Sequence, residues 1–180
     1  MNREFIDYDL DTAPSAARGI LAENKQKFGG IPKPLARLAV APVALEAALA
    51  GLGAFERCSL APLEREVLAM TMGRLNGCHF CVALHRRILK MIDAPAAVRE
   101  ALEHGTALDS PRLEAVRRFT LALLERTGDV NDAAWQQFLA AGFDRAAALE
   151  VVLGVATYTL TTFANRLTQA PVEYIRAFLR

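Results

Sequence analysis

The stretch Leu60–Ile92, LAPLEREVLAMTMGRLNGCHFCVALHRRILKMI, decides how the rest of the chain is read. From Pro62 to Leu75 the apolar residues Leu63, Val67, Met70 and Leu75 recur at helical intervals, and Pro62 suits a first turn, whose N–H is unpaired anyway. Asn76-Gly77 tolerates left-handed backbone, so it ends this helix and turns the chain into the next. A second amphipathic helix is expected from about Cys78 to Met91. The remaining chain reads as helical packing around this hairpin.

On the second helix Cys78 and Cys81 are three residues apart and His85 follows four later, so all three side chains share one face. Unpaired N–H groups and the positive dipole end of a first turn favour a thiolate, the nucleophilic form of cysteine. His85, one turn on, is within reach of Cys81 to take its proton or pair with its anion. If the two helices pack antiparallel, Glu66 stands level with His85 and orients or charges its ring. A rise of ~1.5 Å per residue leaves Glu66 roughly 10 Å along the axis from Cys78.

Glu66, eleven intervening residues, Cys78-x-x-Cys81-x-x-x-His85 and the preceding Asn76-Gly77 resemble the signature of the carboxymuconolactone decarboxylase-like superfamily, in its AhpD-like alkylhydroperoxidase branch. Looser similarity runs from Gly29 to Ala170, through Gly30-x-Pro-x-Pro-Leu35, the helix after Pro42, and Asn165-Arg166-Leu167. Some members carry histidine immediately before the second cysteine; here that place is Phe80, with His79 one position earlier. The resemblance implies a dithiol–disulfide cycle in which Cys81 is peroxidatic, Cys78 resolves the sulfenic acid, and Glu66 with His85 relays protons. It implies no metal and no cofactor. A small hydroperoxide or disulfide is the implied substrate, with an external dithiol, lipoyl or thioredoxin-like, as reductant. The decarboxylases that name the superfamily resemble the segment without the cysteine pair.

Two alternatives stand beside this reading. Cys78, Cys81 and His85 could hold Zn²⁺ with Glu66 or His79 as a fourth ligand, although three ligands within two turns of one helix close a tetrahedron poorly. Alternatively, Glu66 and His85 serve as acid and base in a decarboxylase or lactone-type enzyme. A thioredoxin relative would need a βαβ pattern beside the CxxC, and the chain has none. His79, Phe80, Leu84, Trp135 and Phe163 are read as an apolar lining for an organic substrate, or else as plain core. Cys58 is expected to be inert, His104 structural, and Glu64 a surface carboxylate pairing with nearby arginines.

Composition bounds the rest. The chain has 180 residues, 53% hydrophobic and 23% charged, enough apolar material for one sizeable domain over 1–180. A net charge of +1 without a basic run gives no indication of a nucleic-acid partner. Three cysteines, two of them in CxxC, and an N-terminus, MNREFIDYDLDTAP, without a secretory pattern suggest a reducing cytoplasm. The most membrane-like run, Ala146 to Phe163, contains Glu150 and four threonines. It is expected to be a helix buried on every side rather than a membrane span, more easily so in a homo-oligomer. The resemblance implies such an assembly, a trimer or hexamer.

In chain order, residues 1–11 are expected to be an extended arm, followed by helices over Ser15–Phe28, Leu35–Val40 and Val43–Arg57. Ile31-Pro-Lys-Pro reads as a stiff turn. Beyond the hairpin, Asp93 is expected to cap a helix over Pro95–His104. Further helices are expected over Arg112–Thr127 after Ser110-Pro111, from Asn131 to Gly142, from Asp144 to Leu167, and finally Pro171–Arg180. No alternating strand pattern occurs. The expected fold is all-α: an AhpD-like bundle of about eight or nine helices.

Overall fold

The computed structural model describes residues 4–172. Among them are nine α-helices and no strand: α1 Ser15–Phe28, α2 Lys33–Leu38, α3 Pro42–Glu56, α4 Pro62–Leu75, α5 His79–Met91, α6 Ala96–His104, α7 Pro111–Glu125, α8 Asp132–Ala140 and α9 Arg145–Leu167. The expected helix over Pro171–Arg180 lies, beyond Val172, outside the described residues.

Helix starts follow local chemistry. Side-chain oxygens of Ser110, Asn131 and Asp144 accept the N–H groups of Leu113, Ala134 and Ala147, so three helices begin on ordinary N-caps. Two boundaries differ from expectation. The Ile31-Pro-Lys-Pro stretch is not wholly a turn, because α2 starts at Lys33 with Pro34 inside its first turn, where a proline costs no hydrogen bond. Asp93 is not a cap: it adopts a left-handed φ of 51°, and Pro95 precedes α6 without a side-chain cap.

Helix α4 is the centre of the bundle, packed on α5, α7 and α9. Its Val67, Leu68, Ala69, Met70 and Met72 are all essentially inaccessible. Close approach needs small residues. A Cβ at Gly154 of α9 would fall 2.7 Å from Phe55 and 2.8 Å from Leu68, so α9 reaches α3 and α4 only because that position is glycine. A second, smaller cluster of Ala13, Ala17, Leu21, Ala39 and Leu45 joins α1–α3.

The N-terminal arm lies on its own chain. Asp7 pairs with Lys33 (2.6 Å) and Arg37 (2.7 Å) of α2, and Arg37 also donates to the carbonyls of Thr168 and Gln169 (2.6 Å each).

Two expectations about burial are corrected. Glu64 is not a surface group. It is buried, accepts the Ala61 N–H (2.7 Å) at the start of α4, and pairs with Arg112 of α7 (2.5 Å). Helix α9 is not buried on every side: Leu149, Val152, Phe163 and Leu167 are 71, 42, 56 and 57% exposed. These residues, together with Ala156 and Leu160, recur at helical spacing and form one apolar stripe that the chain itself leaves open. Among the described helices α9 alone is long and apolar enough to cross a bilayer, and 39% of its apolar window is buried in the fold.

Candidate active site

The α4–α5 hairpin builds the site. Gly77, at φ 61°, makes the left-handed turn; its N–H bonds to the Arg74 carbonyl (2.9 Å) and that of Cys78 to Gly73 (2.8 Å). The turn is tied to α9, because Asn76 Nδ2 donates to Thr162 Oγ1 (2.8 Å). Arg166 spreads its guanidinium over Gly77, with Cζ 3.7 Å from where a Cβ would stand. A Cβ on Gly73 would meet the Cβ of Cys81 at 3.3 Å. The two helices are therefore as close as their backbones allow at the cysteines.

Cys78 is the N-cap of α5, one position outside the first turn. Its sulfur accepts the Cys81 N–H (3.2 Å), and the two sulfurs are 2.6 Å apart, both reduced and both buried. Only one sulfur of such a pair readily ionises, since a second charge would sit against the first. The cap N–H favours Cys78. The hydrogen bond from the Cys81 thiol, assisted by that N–H and opposed by burial, brings the Cys78 thiol down to about 7 from 9.0. The same bond, together with burial, pushes Cys81 well above the ordinary thiol range.

His85 lies one turn further along α5, 5% exposed, with Nδ1 2.8 Å from Glu66 Oε2 of α4. Tyr158 of α9 closes the other side: its ring meets His85 edge-on at a centroid distance of 5.3 Å. Burial and the nearby Glu66 carboxylate hold its phenol protonated far above the usual range. Asn165, also of α9, donates from Nδ2 to Cys81 Sγ (3.4 Å).

Cys78, Cys81, His85 and Glu66 are thus brought together. Of the other expected residues, His79 is exposed at the first position of α5, while Phe80 and Leu84 are half-buried on that helix. Trp135 packs elsewhere, on Phe119 of α7 (6.2 Å) within the aromatic cluster that includes Phe138 and Phe143. Phe163 faces outward on α9. Tyr158 and Asn165 are the contacts that residue spacing did not reveal; they come from a helix more than seventy residues downstream. Among the described residues no three His, Cys, Asp or Glu side chains converge in a way that could hold a metal ion. The ligand set of the zinc alternative is accordingly not formed.

Residues 42–122, from α3 into α7, match the carboxymuconolactone decarboxylase family, and this segment contains both cysteines, Glu66 and His85. The match spans 81 of the 180 residues, so it is this central segment that is similar to the family. The fold is shared over nearly the whole length with several solved structures. One is an uncharacterised peroxidase-related protein from Ralstonia eutropha, described as an alkylhydroperoxidase AhpD core (TM-score 0.79, 22% identity, 93% of this chain and 90% of that one). Another is a peroxidase-related protein from Silicibacter sp. (0.77, 19%, 99% and 97%). A third is the debrominase Bmp8, solved as a variant in complex with 2,3,4-tribromopyrrole (0.76, 16%, 99% and 97%). No curated protein is significantly similar in sequence.

Proposed function

We propose that this protein is an AhpD-like member of the carboxymuconolactone decarboxylase-like superfamily and a thiol-dependent hydroperoxide reductase that cycles Cys78 and Cys81 between dithiol and disulfide. The observation that carries the reading is the 2.6 Å sulfur pair across the start of α5, beside the Glu66–His85 pair. The family match over residues 42–122 and the fold shared with peroxidase-related proteins support it.

In the resting monoanion the proton is on Cys81 and the charge on Cys78. Transfer of that proton across the sulfur–sulfur contact makes Cys81 the thiolate and Cys78 the thiol. The Cys81 sulfur attacks the terminal peroxide oxygen, the O–O bond breaks, and the alkoxide leaves as alcohol after taking a proton delivered through His85, which Glu66 orients. Cys81 is then a sulfenic acid. The Cys78 sulfur displaces its hydroxyl as water, giving the disulfide. An external dithiol of lipoyl or thioredoxin-like type returns two electrons and two protons. The sulfurs need only close to about 2.05 Å, so the oxidised state requires little movement of α5.

Peroxide added to the reduced protein is expected to yield one Cys78–Cys81 bridge, mapped by mass spectrometry. Peroxide turnover that survives Cys78→Ser or Cys81→Ser would remove the mechanism. A reducing compartment such as the cytoplasm suits this cycle. The open apolar stripe on α9 supports a homo-oligomer, trimer or hexamer, which sedimentation analysis tests.

A further inference from the structure

The cysteine pair carries two competing hydrogen-bond donors. The Cys81 N–H, belonging to α5 itself, points at Cys78 Sγ (3.2 Å) and favours the anion there. The Asn165 amide, from α9, points at Cys81 Sγ (3.4 Å) and favours the anion on the other sulfur. Asn165 lies outside the segment 42–122 that defines the family match. Its amide is held in place by structure around it: Asn76 donates to Thr162 on the same face one turn earlier, and the Asn165 carbonyl accepts the Ala170 N–H (2.8 Å) as α9 ends.

We infer that Asn165 is a catalytic residue: its side-chain N–H is the donor that stabilises negative charge on Cys81 Sγ when the proton crosses to Cys78, making Cys81 the sulfur that attacks. The inference rests on the dithiol reading above. Its physical basis is that a buried thiolate must find fixed donors to replace water, and for Cys81, inside the first turn, the Asn165 amide assists the anion more than the backbone N–H does. The amide also favours ionisation of the pair as a whole, since Asn165 assists the anion on either sulfur. A neutral donor suits this task, because a cation in the same place would hold the thiolate too tightly to attack.

The experiment compares the full-length reduced protein with Asn165→Ala and the near-isosteric Asn165→Asp, which keeps the shape but presents acceptors. Thiolate is titrated by absorbance near 240 nm, and the cysteine modified first by limiting iodoacetamide is identified by mass. Loss of one hydrogen bond to a charged group is expected to raise the titration midpoint by about one pH unit and lower alkylation at neutral pH about fivefold. The share of label on Cys81, the minor site beside Cys78, is expected to fall further in both variants. Midpoint and label distribution unchanged in a folded variant would overturn the assignment. On the unsubstituted protein, the Asn165 side-chain amide resonance is expected to shift with the thiol titration; a resonance that stays fixed overturns it even if both variants misfold. None of these readouts uses peroxide. Failure of the peroxidase reading would appear instead as an unsubstituted protein whose thiols titrate as described yet form no bridge with peroxide.

Discussion

His85 Nδ1 and Glu66 Oε2 meet at 2.8 Å across the α4–α5 hairpin, so the carboxylate fixes which ring nitrogen remains for proton exchange with the cysteine side. Glu66→Gln preserves volume and removes the negative charge beside the imidazole. Peroxide turnover with a dithiol reductant is expected to fall about a hundredfold, within the usual range for positioned acid–base groups. The reduced protein should retain its helical circular dichroism. Unchanged turnover would dismiss the proton relay.

Thiol reactivity should follow the lowered Cys78 ionisation. A group brought from 9.0 to about 7 is half thiolate near neutrality, whereas an ordinary cysteine at that pH is almost wholly protonated. Alkylation rates of the reduced protein are expected to climb through about pH 7 and level off near 8. A climb centred on 9 would show that the cap N–H and the neighbouring thiol do not act as described.

The same pair makes stability depend on pH in two directions. Between about 7 and 9 the folded chain has released one proton that the unfolded chain still holds, so stability rises with pH. Above 9 the unfolded chain ionises both thiols, while the raised Cys81 keeps its proton in the fold, so stability declines. Urea unfolding of the reduced protein, measured against the Cys78→Ser, Cys81→Ser double variant, is expected to show a maximum near pH 9. A flat difference would contradict the shared proton.

Glu64 serves α4 twice, as acceptor of the Ala61 N–H and as partner of Arg112. Glu64→Ala removes the acceptor of the Ala61 N–H and the partner of the half-exposed Arg112, and should cost about 1–2 kcal/mol in urea unfolding. Its effect on thiol titration should be small, because Glu64 lies about two and a half turns along α4 from Gly73, where Cys81 packs. A loss below half a kilocalorie would mean that water replaces both bonds.

Gly154→Ala tests the packing of α9. The added methyl would stand 2.7 Å from Phe55 and 2.8 Å from Leu68, both deep in the core. Overpacking of this kind is expected to cost about 1–3 kcal/mol and, by shifting α9, to slow peroxide turnover as well. A melting temperature equal to that of the unsubstituted chain would show the bundle to be looser than described.

How much of this was legible in the residues depends on how far apart the partners lie. The hairpin, the shared face of Cys78, Cys81 and His85, and the caps at Ser110, Asn131 and Asp144 are local, set by spacing and by residues that satisfy their neighbours' N–H groups. Pro34 misled because proline both breaks helices and begins them, and only its position in the first turn distinguishes the two. Glu64 looked like a solvated charge because its partner, Arg112, is forty-eight residues away. Trp135 suggested a pocket lining by its chemistry alone, yet aromatic rings are as well satisfied by one another, and it joins Phe119. Asn165 is the instructive case. Its place beside Arg166 and Leu167 was visible as a pattern, but its meaning depends on how α9 crosses the hairpin, which no period in the chain encodes.

Cys78 as the cap of α5 has one more consequence. The sulfur that gains or loses electrons is also the acceptor for the Cys81 amide, so oxidation exchanges a charged acceptor for a weak neutral one at the first hydrogen bond of the helix. Deuterium uptake at that single amide becomes a built-in gauge: slow while the anion holds it, faster once the bridge has formed, reporting the chemical state of the sulfurs through the fraying of a helix end.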